Sequence, residues 1–196
     1  MRYTRIPETA FQNLQLNAGV LLSDFDPAAG TVEETDIMGA TSGGVAFAAT
    51  PEFSDFGKDI DSCPVNVLEL KRLDSWEVTM SGTFITVSTT LVKDLIGAAD
   101  IAATKVVPRN DVATTDFKDI WWVGDYSDKN GETKGGFVAI HMLNGLSTGG
   151  FHLQSGNREK GQFEFEFTGH YSINAQDTVP FEVYVKAGTD EEEAGG

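Results

Sequence analysis

Glu164 and Glu166 stand two residues apart in the run Gln162–Tyr171, close enough to serve as a paired acid and base. Such chemistry needs one carboxyl buried and its pKa pushed upward. Both glutamates instead share the polar side of an alternating run with Thr168, which reads as a solvated face. Asp24/Asp26 and Asp59/Asp61 have a spacing seen in calcium loops, but no third ligand at EF-hand spacing follows either pair. Asp128-Lys129-Asn130-Gly131 imitates the end of such a loop, yet Tyr126 occupies its first ligand position, so the stretch reads as a turn. His141, His152 and His170 are isolated in sequence. His152 and His170 could meet across strands, but no cysteine or paired-histidine motif supports a metal. Cys63 precedes Pro64 and has no histidine near it to activate a thiolate. Gly39–Gly44 lacks the Lys-Ser/Thr of a phosphate loop, and no Gly-x-Ser-x-Gly elbow occurs. Trp121-Trp122 suggests a sugar or base platform. Neighbouring strand residues face opposite sides, so one ring is expected in the core and the other outside, as an interface anchor. Without basic neighbours, stacking on nucleic acid is not expected. No catalytic residue, metal or cofactor is assigned, and the chain reads as non-enzymatic.

The elements around these residues are mostly strands. Leu14–Leu22 is apolar and interrupted by Asn17 and Gly19. Asp24–Thr35 is a polar loop, and Ile37–Ala40 and Gly44–Thr50 are two short strands around a Thr41-Ser42-Gly43-Gly44 turn. In Trp76–Thr86 the residues Trp76, Val78 and Met80 alternate with Glu77, Thr79 and Ser81, the mark of a half-buried strand. Thr89–Ala99 is the one helix, capped by Thr89 or Thr90, with Leu91, Leu95 and Ile96 as its apolar stripe. Pro108 ends the apolar segment Lys105–Val107. Asp119–Ser127 and Gly136–Asn144 flank an Asn-Gly turn and form a hairpin. Gly149–Gln154, Gly161–Ile173 and Pro180–Lys186 complete the set. Phe163, Phe165 and Phe167 must face the core, because three aligned aromatics in solvent would invite aggregation.

Pro51–Ser75 lies between two good strand patterns and shows no clear period. Structureless loops longer than about 15 residues are uncommon and tend to be functional or disordered. This one mixes Phe53, Phe56, Ile60, Val65, Val67, Leu68 and Leu70 with Asp55, Lys58, Asp59, Asp61, Glu69, Lys71 and Arg72. Apolar anchors among both charge signs suit a partner-docking arm, unordered until docked; the same loop folded onto its own core is the alternative.

The chain has 196 residues, of which 21 are glycine and 13 phenylalanine, a composition suited to one β-rich core. Thirty acidic residues face fourteen basic ones, a net charge of −16, which repels phosphate backbones and anionic membranes. A single cysteine excludes an intrachain disulfide. Met1–Thr9 leads into no apolar signal region, and no run is long enough to span a membrane, so synthesis in a reducing cytoplasm is expected. Residues 1–188 are expected to form a single β domain, followed by an acidic, disordered tail over 189–196.

Three stretches carry a resemblance. They are Pro51-Glu52-Phe53-Ser54-Asp55-Phe56-Gly57-Lys58-Asp59-Ile60-Asp61 running on to Glu69-Leu70-Lys71-Arg72-Leu73-Asp74-Ser75-Trp76; Asp119-Ile120-Trp121-Trp122-Val123-Gly124-Asp125-Tyr126-Ser127; and Gly161-Gln162-Phe163-Glu164-Phe165-Glu166-Phe167-Thr168-Gly169-His170-Tyr171. Over Leu14–Gly188 the chain resembles the major tail tube proteins of long-tailed, non-contractile bacteriophages and their prophages. The resemblance implies an all-β sandwich or barrel with one flanking helix. It implies hexameric rings stacked into a hollow virion tail tube that delivers DNA, with the subunit made in the bacterial host cytoplasm. The implied partners are further copies of the chain and the tape-measure, tail terminator and distal tail proteins; DNA passes without specific binding, and no membrane is involved. The loop Pro51–Ser75 matches the arm that reaches the neighbouring ring, with Phe53, Phe56, Ile60, Leu68, Leu70, Lys71 and Arg72 as expected contacts. Glu77, Thr79, Ser81, Glu164, Glu166 and Thr168 are the expected lumen lining, a repelling wall with no stationary ion pairs for DNA. Because both sheets of a sandwich have a polar outer face, these six could instead face outside. Two other readings remain: the tube subunit of a contractile or secretion-type injection machine, and a carbohydrate-binding or adhesion β-sandwich using Trp121 or Trp122 as platform.

Overall fold

The computed structural model of the chain describes Ala10 and residues 14–126 and 135–188. The expected Asp128–Gly131 turn and the acidic tail over 189–196 lie outside the described residues. Among the described residues, eleven strands and one α-helix follow in order: β1 Gln15–Leu22, β2 Ile37–Gly39, β3 Thr41–Asp55, β4 Lys71–Phe84, α1 Thr89–Ile96, β5 Ala99–Ala102, β6 Lys105–Pro108, β7 Lys118–Tyr126, β8 Gly136–Ser147, β9 His152–Gln154, β10 Gln162–Thr168 and β11 Phe181–Lys186. Nine strands make one antiparallel sheet with the path β2-β1-β7-β8-β10-β4-β3; β11 joins β8 and β9 joins β10. Only Ala40 separates β2 from β3, so the two ends of the path meet and the sheet must curl onto itself. The result is an all-β sandwich with one helix: the residue pattern predicts the strands and the helix, and the resemblance implies the sandwich.

One layer is β2-β1-β7-β8-β11 and the other is β9-β10-β4-β3. They join where the end of β8 pairs with β10, Ser147 opposite Phe167 and Leu146 opposite Thr168. Between them lies the main core. Leu21, Ile120, Trp122 and Met142 from the first layer meet Val78, Met80, Phe84, Phe163, Phe165 and Phe167 from the second. Complete burial of each such side chain contributes about 1.5–3 kcal/mol, so the three-phenylalanine face of β10 is a main source of stability.

Three expectations are corrected. Thr41–Gly44 is not a turn between strands. It lies inside β3 as a bulge, where the register to β4 slips between Thr41 and Val45. Gly43 and Gly44 both take positive φ there, +83° and +85°, a conformation that costs glycine little. The helix is capped by Ser88, not by Thr89 or Thr90: Ser88 Oγ accepts from Leu91 N–H at 3.1 Å. Leu91 and Leu95 are buried as expected, whereas Ile96 is only half-buried. Finally, Pro51–Ser75 is not a structureless loop, because β3 and β4 run on as paired strands through much of it.

Beside the helix, Arg109 ties the small β5–β6 hairpin to the segment before β7. Its Nη2 lies 2.6 Å from each carboxylate oxygen of Asp116, and its Nε lies 3.2 Å from Asp100. Asp116 is the one buried charged residue among the described residues. Its carboxyl is held below the usual aspartate range, chiefly by the Ala113 N–H donating at 2.8 Å and further by Arg109, against the opposing effect of burial. A carboxyl with a lowered folded-state pKa adds stability above its unfolded value and loses it as pH falls through the folded value. Asp116→Asn is therefore expected to destabilise the protein at neutral pH. The gap to wild type should narrow as pH drops below about 4, read as denaturation midpoints over a pH series. A gap that stays constant into acid would contradict the role given to this carboxylate.

Candidate functional site

The two strict alternations fall on neighbouring strands. β10 pairs with β4 so that Glu164 is opposite Thr83, Glu166 opposite Ser81 and Thr168 opposite Thr79. On the far side of β4, β3 places Ala46, Ala48 and Thr50 opposite Ser81, Thr79 and Glu77. On the far side of β10, β9 places His152 opposite Glu164 and Gln154 opposite Gln162. Because side chains alternate with period two, all these residues share one face, and the phenylalanines of β10 share the other. Glu77, Thr79, Ser81, Glu164, Glu166 and Thr168 are thus brought onto a single surface. Glu77, Glu164 and Glu166 are exposed on it, while Thr79, Ser81 and Thr168 are half-buried. No lysine or arginine stands among these paired residues; along the row, Arg72 follows only in the arm, opposite Ser54. Thr148 adds a hydroxyl that lies 2.7 Å from that of Thr168 and 3.4 Å from the Glu166 carboxylate. Its participation could not be foreseen, since it follows β8 and arrives only through the β8–β10 junction.

The sheet carrying this face ends in two open edges. Among the described residues, β3 pairs with β4 alone and β9 pairs with β10 alone. An open edge presents backbone donors and acceptors that another strand can use.

From the same sheet projects a hairpin arm. Glu52, Phe53, Ser54 and Asp55 pair with Ser75, Leu73, Arg72 and Lys71, after a register shift between Glu52 and Phe53. Ser54 donates to Asp74, and Ser75 donates to Glu52 at 2.9 Å. The tip is a folded knot. Asp55 accepts from the N–H groups of Gly57 and Asn66, both at 2.9 Å, and Phe56 N–H closes onto Leu70 at 3.0 Å. These two backbone donors, with a lesser contribution from Lys58 and Lys71, hold the Asp55 carboxyl below the usual range. The arm expected to lack structure of its own is therefore built by local hydrogen bonds.

Most of its expected contact residues are exposed: Phe53 53%, Phe56 59%, Ile60 50% and Leu68 83%. Leu70 differs from these. It is half-buried and packs inside the tip, where its Cδ1 would lie 3.3 Å from a Cβ on Gly57. Lys71 lies over the Phe53 ring at 5.0 Å, and Arg72 is within 3.8 Å of Asp74. Both cations are exposed but occupied with their own hairpin. Val65 and Leu73 are exposed beside the expected anchors and belong to the same surface.

The other candidate residues have local roles. Asp24 accepts from Phe25 N–H at 2.9 Å and Asp26 from Ala28 N–H at 2.8 Å, which makes them turn formers. His152 lies 2.8 Å from the Gly149 carbonyl and His170 lies 3.1 Å from the Asn144 carbonyl. They sit near opposite ends of β10 and are not brought together. No group of three metal-binding side chains occurs among the described residues. Nor is any described helix long and apolar enough to cross a membrane. The tryptophan expectation is also corrected. Trp122 enters the main core, but Trp121 on the opposite face is buried as well, in a second cluster with Leu22, Phe25, Val123, Phe137 and Ala139. Phe25, from the loop after β1, packs edge-on against both Trp121 and Phe137. Neither indole offers an open platform. Comparison with known protein families and with curated proteins gives no match to this chain.

Proposed function

We propose that this chain is a self-assembling structural subunit of the phage tail tube type, forming hexameric rings that stack into a hollow tube for DNA delivery. The reading is supported by the carboxylate and hydroxyl face of β3, β4, β10 and β9, bounded by an open strand edge on each side. Pairing the β3 edge of one copy with the β9 edge of the next is a head-to-tail contact between two different surfaces. Such contacts close into rings when the rotation allows. Closure satisfies both edges and turns the acidic face into a continuous wall. Phosphates sliding past Glu77, Glu164 and Glu166 then meet repulsion, with no cation to hold them. The arm, with exposed apolar side chains at its far end, is the part suited to reach the next ring. In this reading the finished protein resides in the virion tail.

Electron microscopy of the concentrated protein tests this directly. Rings with a central hole, or tubes, are expected; a subunit that stays single at all concentrations and in every tail particle would overturn the reading. The wall has a separate test. Changing Glu77, Glu164 and Glu166 to lysine is expected to give assemblies that retain DNA oligonucleotides, with binding that weakens steeply as salt rises. Wild-type assemblies are expected to retain none. Equal retention by both would show that this face does not meet DNA.

A further inference from the structure

A second cluster lies away from the acidic face and the arm, on the outer side of the other layer. Trp121 on β7, His141 on β8 and Glu182 on β11 stand side by side in register. The His141 ring stacks flat on the Trp121 indole, with centroids 3.8 Å apart and planes within 5°. Its Nε2 lies 3.2 Å from an oxygen of Asp119 on β7, and its Nδ1 lies 3.5 Å from Oε2 of Glu182 on β11. Both ring nitrogens are shielded from solvent and make no hydrogen bond, so the two carboxylates stand at ion-pair distance from them.

The carboxylates are pinned. Tyr184 donates its hydroxyl to the same Glu182 oxygen at 2.5 Å, and Asp119 accepts from Asn144 N–H at 3.0 Å. The Glu182 carboxyl is held below the usual glutamate range, first by Tyr184 and then by His141. Other charged groups near the ring are engaged elsewhere. Lys118 pairs with Asp94 at 2.5 Å, and Asp24 accepts from the backbone of Phe25.

An imidazole can donate from both nitrogens only when doubly protonated; the neutral ring turns one lone pair toward a carboxylate. Two anions facing two buried ring nitrogens therefore form a lock with a proton as its key. We propose that His141 is a proton-operated clasp that fastens the edge strand β11 to β7 across β8. With the proton, Asp119, His141 and Glu182 form a continuous charge-assisted bridge over three strands. Without it, the neutral ring can donate to only one of the two carboxylates, so the bridge is broken on one side, and β11 keeps its pairing with β8 and the packing of Phe181 and Tyr184. β11 pairs only with β8 among the described residues and exposes Val183 and Val185, so its attachment governs how much apolar edge the layer presents. This clasp does not depend on what the protein assembles into.

The test is residue-level amide exchange of the full chain from about pH 5 to about pH 9, corrected for intrinsic exchange, with the His141 ring followed by NMR. Protection of the β11 amides, relative to those of β7, is expected to fall by about tenfold as pH rises, with the same midpoint as the ring titration. His141→Gln should remove that step, and Glu182→Gln or Asp119→Asn should weaken it. A wild-type β11 whose protection is flat across the range overturns the clasp, as does a step that survives in His141→Gln. If that variant fails to fold, a wild-type step whose midpoint departs from the ring titration overturns it equally.

Discussion

Changing Phe56 and Leu68 together to aspartate is expected to yield a folded subunit that still makes rings but no longer makes tubes. Both side chains point into solvent at the end of the arm, and neither belongs to a buried cluster. Their loss should leave the thermal midpoint within a few degrees of wild type, since exposed positions change stability by only about 0.5 kcal/mol. At an interface between stacked rings the same residues would be desolvated. Each lost apolar contact removes about 1.5–3 kcal/mol, and burying an unpaired carboxylate opposes docking further. Because the contact repeats in every subunit of a ring, the critical concentration for stacking should rise by at least about a hundredfold. The ring contact proposed for β3 and β9 lies elsewhere on the sheet and should persist. Sedimentation velocity with electron microscopy separates rings from tubes. Tubes forming at the wild-type concentration would remove the arm from the stacking interface. Loss of rings as well would mean that arm and edges do not act separately.

The acidic face was legible because β4 and β10 each have one wet and one dry side, the condition under which alternation reports direction. What alternation could not report is that the two strands are neighbours. Phe167 meets Met80 across a sequence gap that no local pattern spans. The arm was misread for the complementary reason. Glu52–Asp55 and Lys71–Ser75 form a ribbon that extends beyond the core, so exposed apolar and polar residues follow one another without a buried stripe. Its signal is in the turn chemistry instead: Asp55 collects the N–H groups of Gly57 and Asn66. One of the two tryptophans is expected outside because alternation assumes that only one face of a strand is covered. The cover is Phe25, one aromatic in a loop rich in Asp, Pro and Gly, whose destination depends on tertiary packing. Once Trp121 is known to be covered, His141 stacked on it stops looking like an isolated surface residue.

Gly19→Ala is expected to be among the most damaging single changes in the chain, and Trp122→Phe should partly suppress it. Sequence alone marks Gly19 only as an interruption in β1. In the fold it takes φ +71° at the bulge where the β1–β7 register slips between Leu16 and Val20. An added Cβ would lie 2.5 Å from the Trp122 ring, the core residue whose Nε1 donates to the Ala18 carbonyl at 3.0 Å. The left-handed backbone alone costs a non-glycine residue about 1–2 kcal/mol, and overpacking a core adds about 1–3 kcal/mol. Against a total stability of about 5–15 kcal/mol, that is enough to lower the melting midpoint by roughly 5–15 °C. Trp122→Phe by itself should also destabilise, because it opens a cavity and orphans the Ala18 carbonyl. It also removes the indole atoms that the new methyl would strike. The double variant should therefore lose less than the sum of the two single losses, by at least about 1 kcal/mol in a chemical-denaturation cycle. Strict additivity would show that the strain lies in the backbone of Gly19 and not against Trp122. The bulge would then be a device for bending β1 and not a seat for the indole.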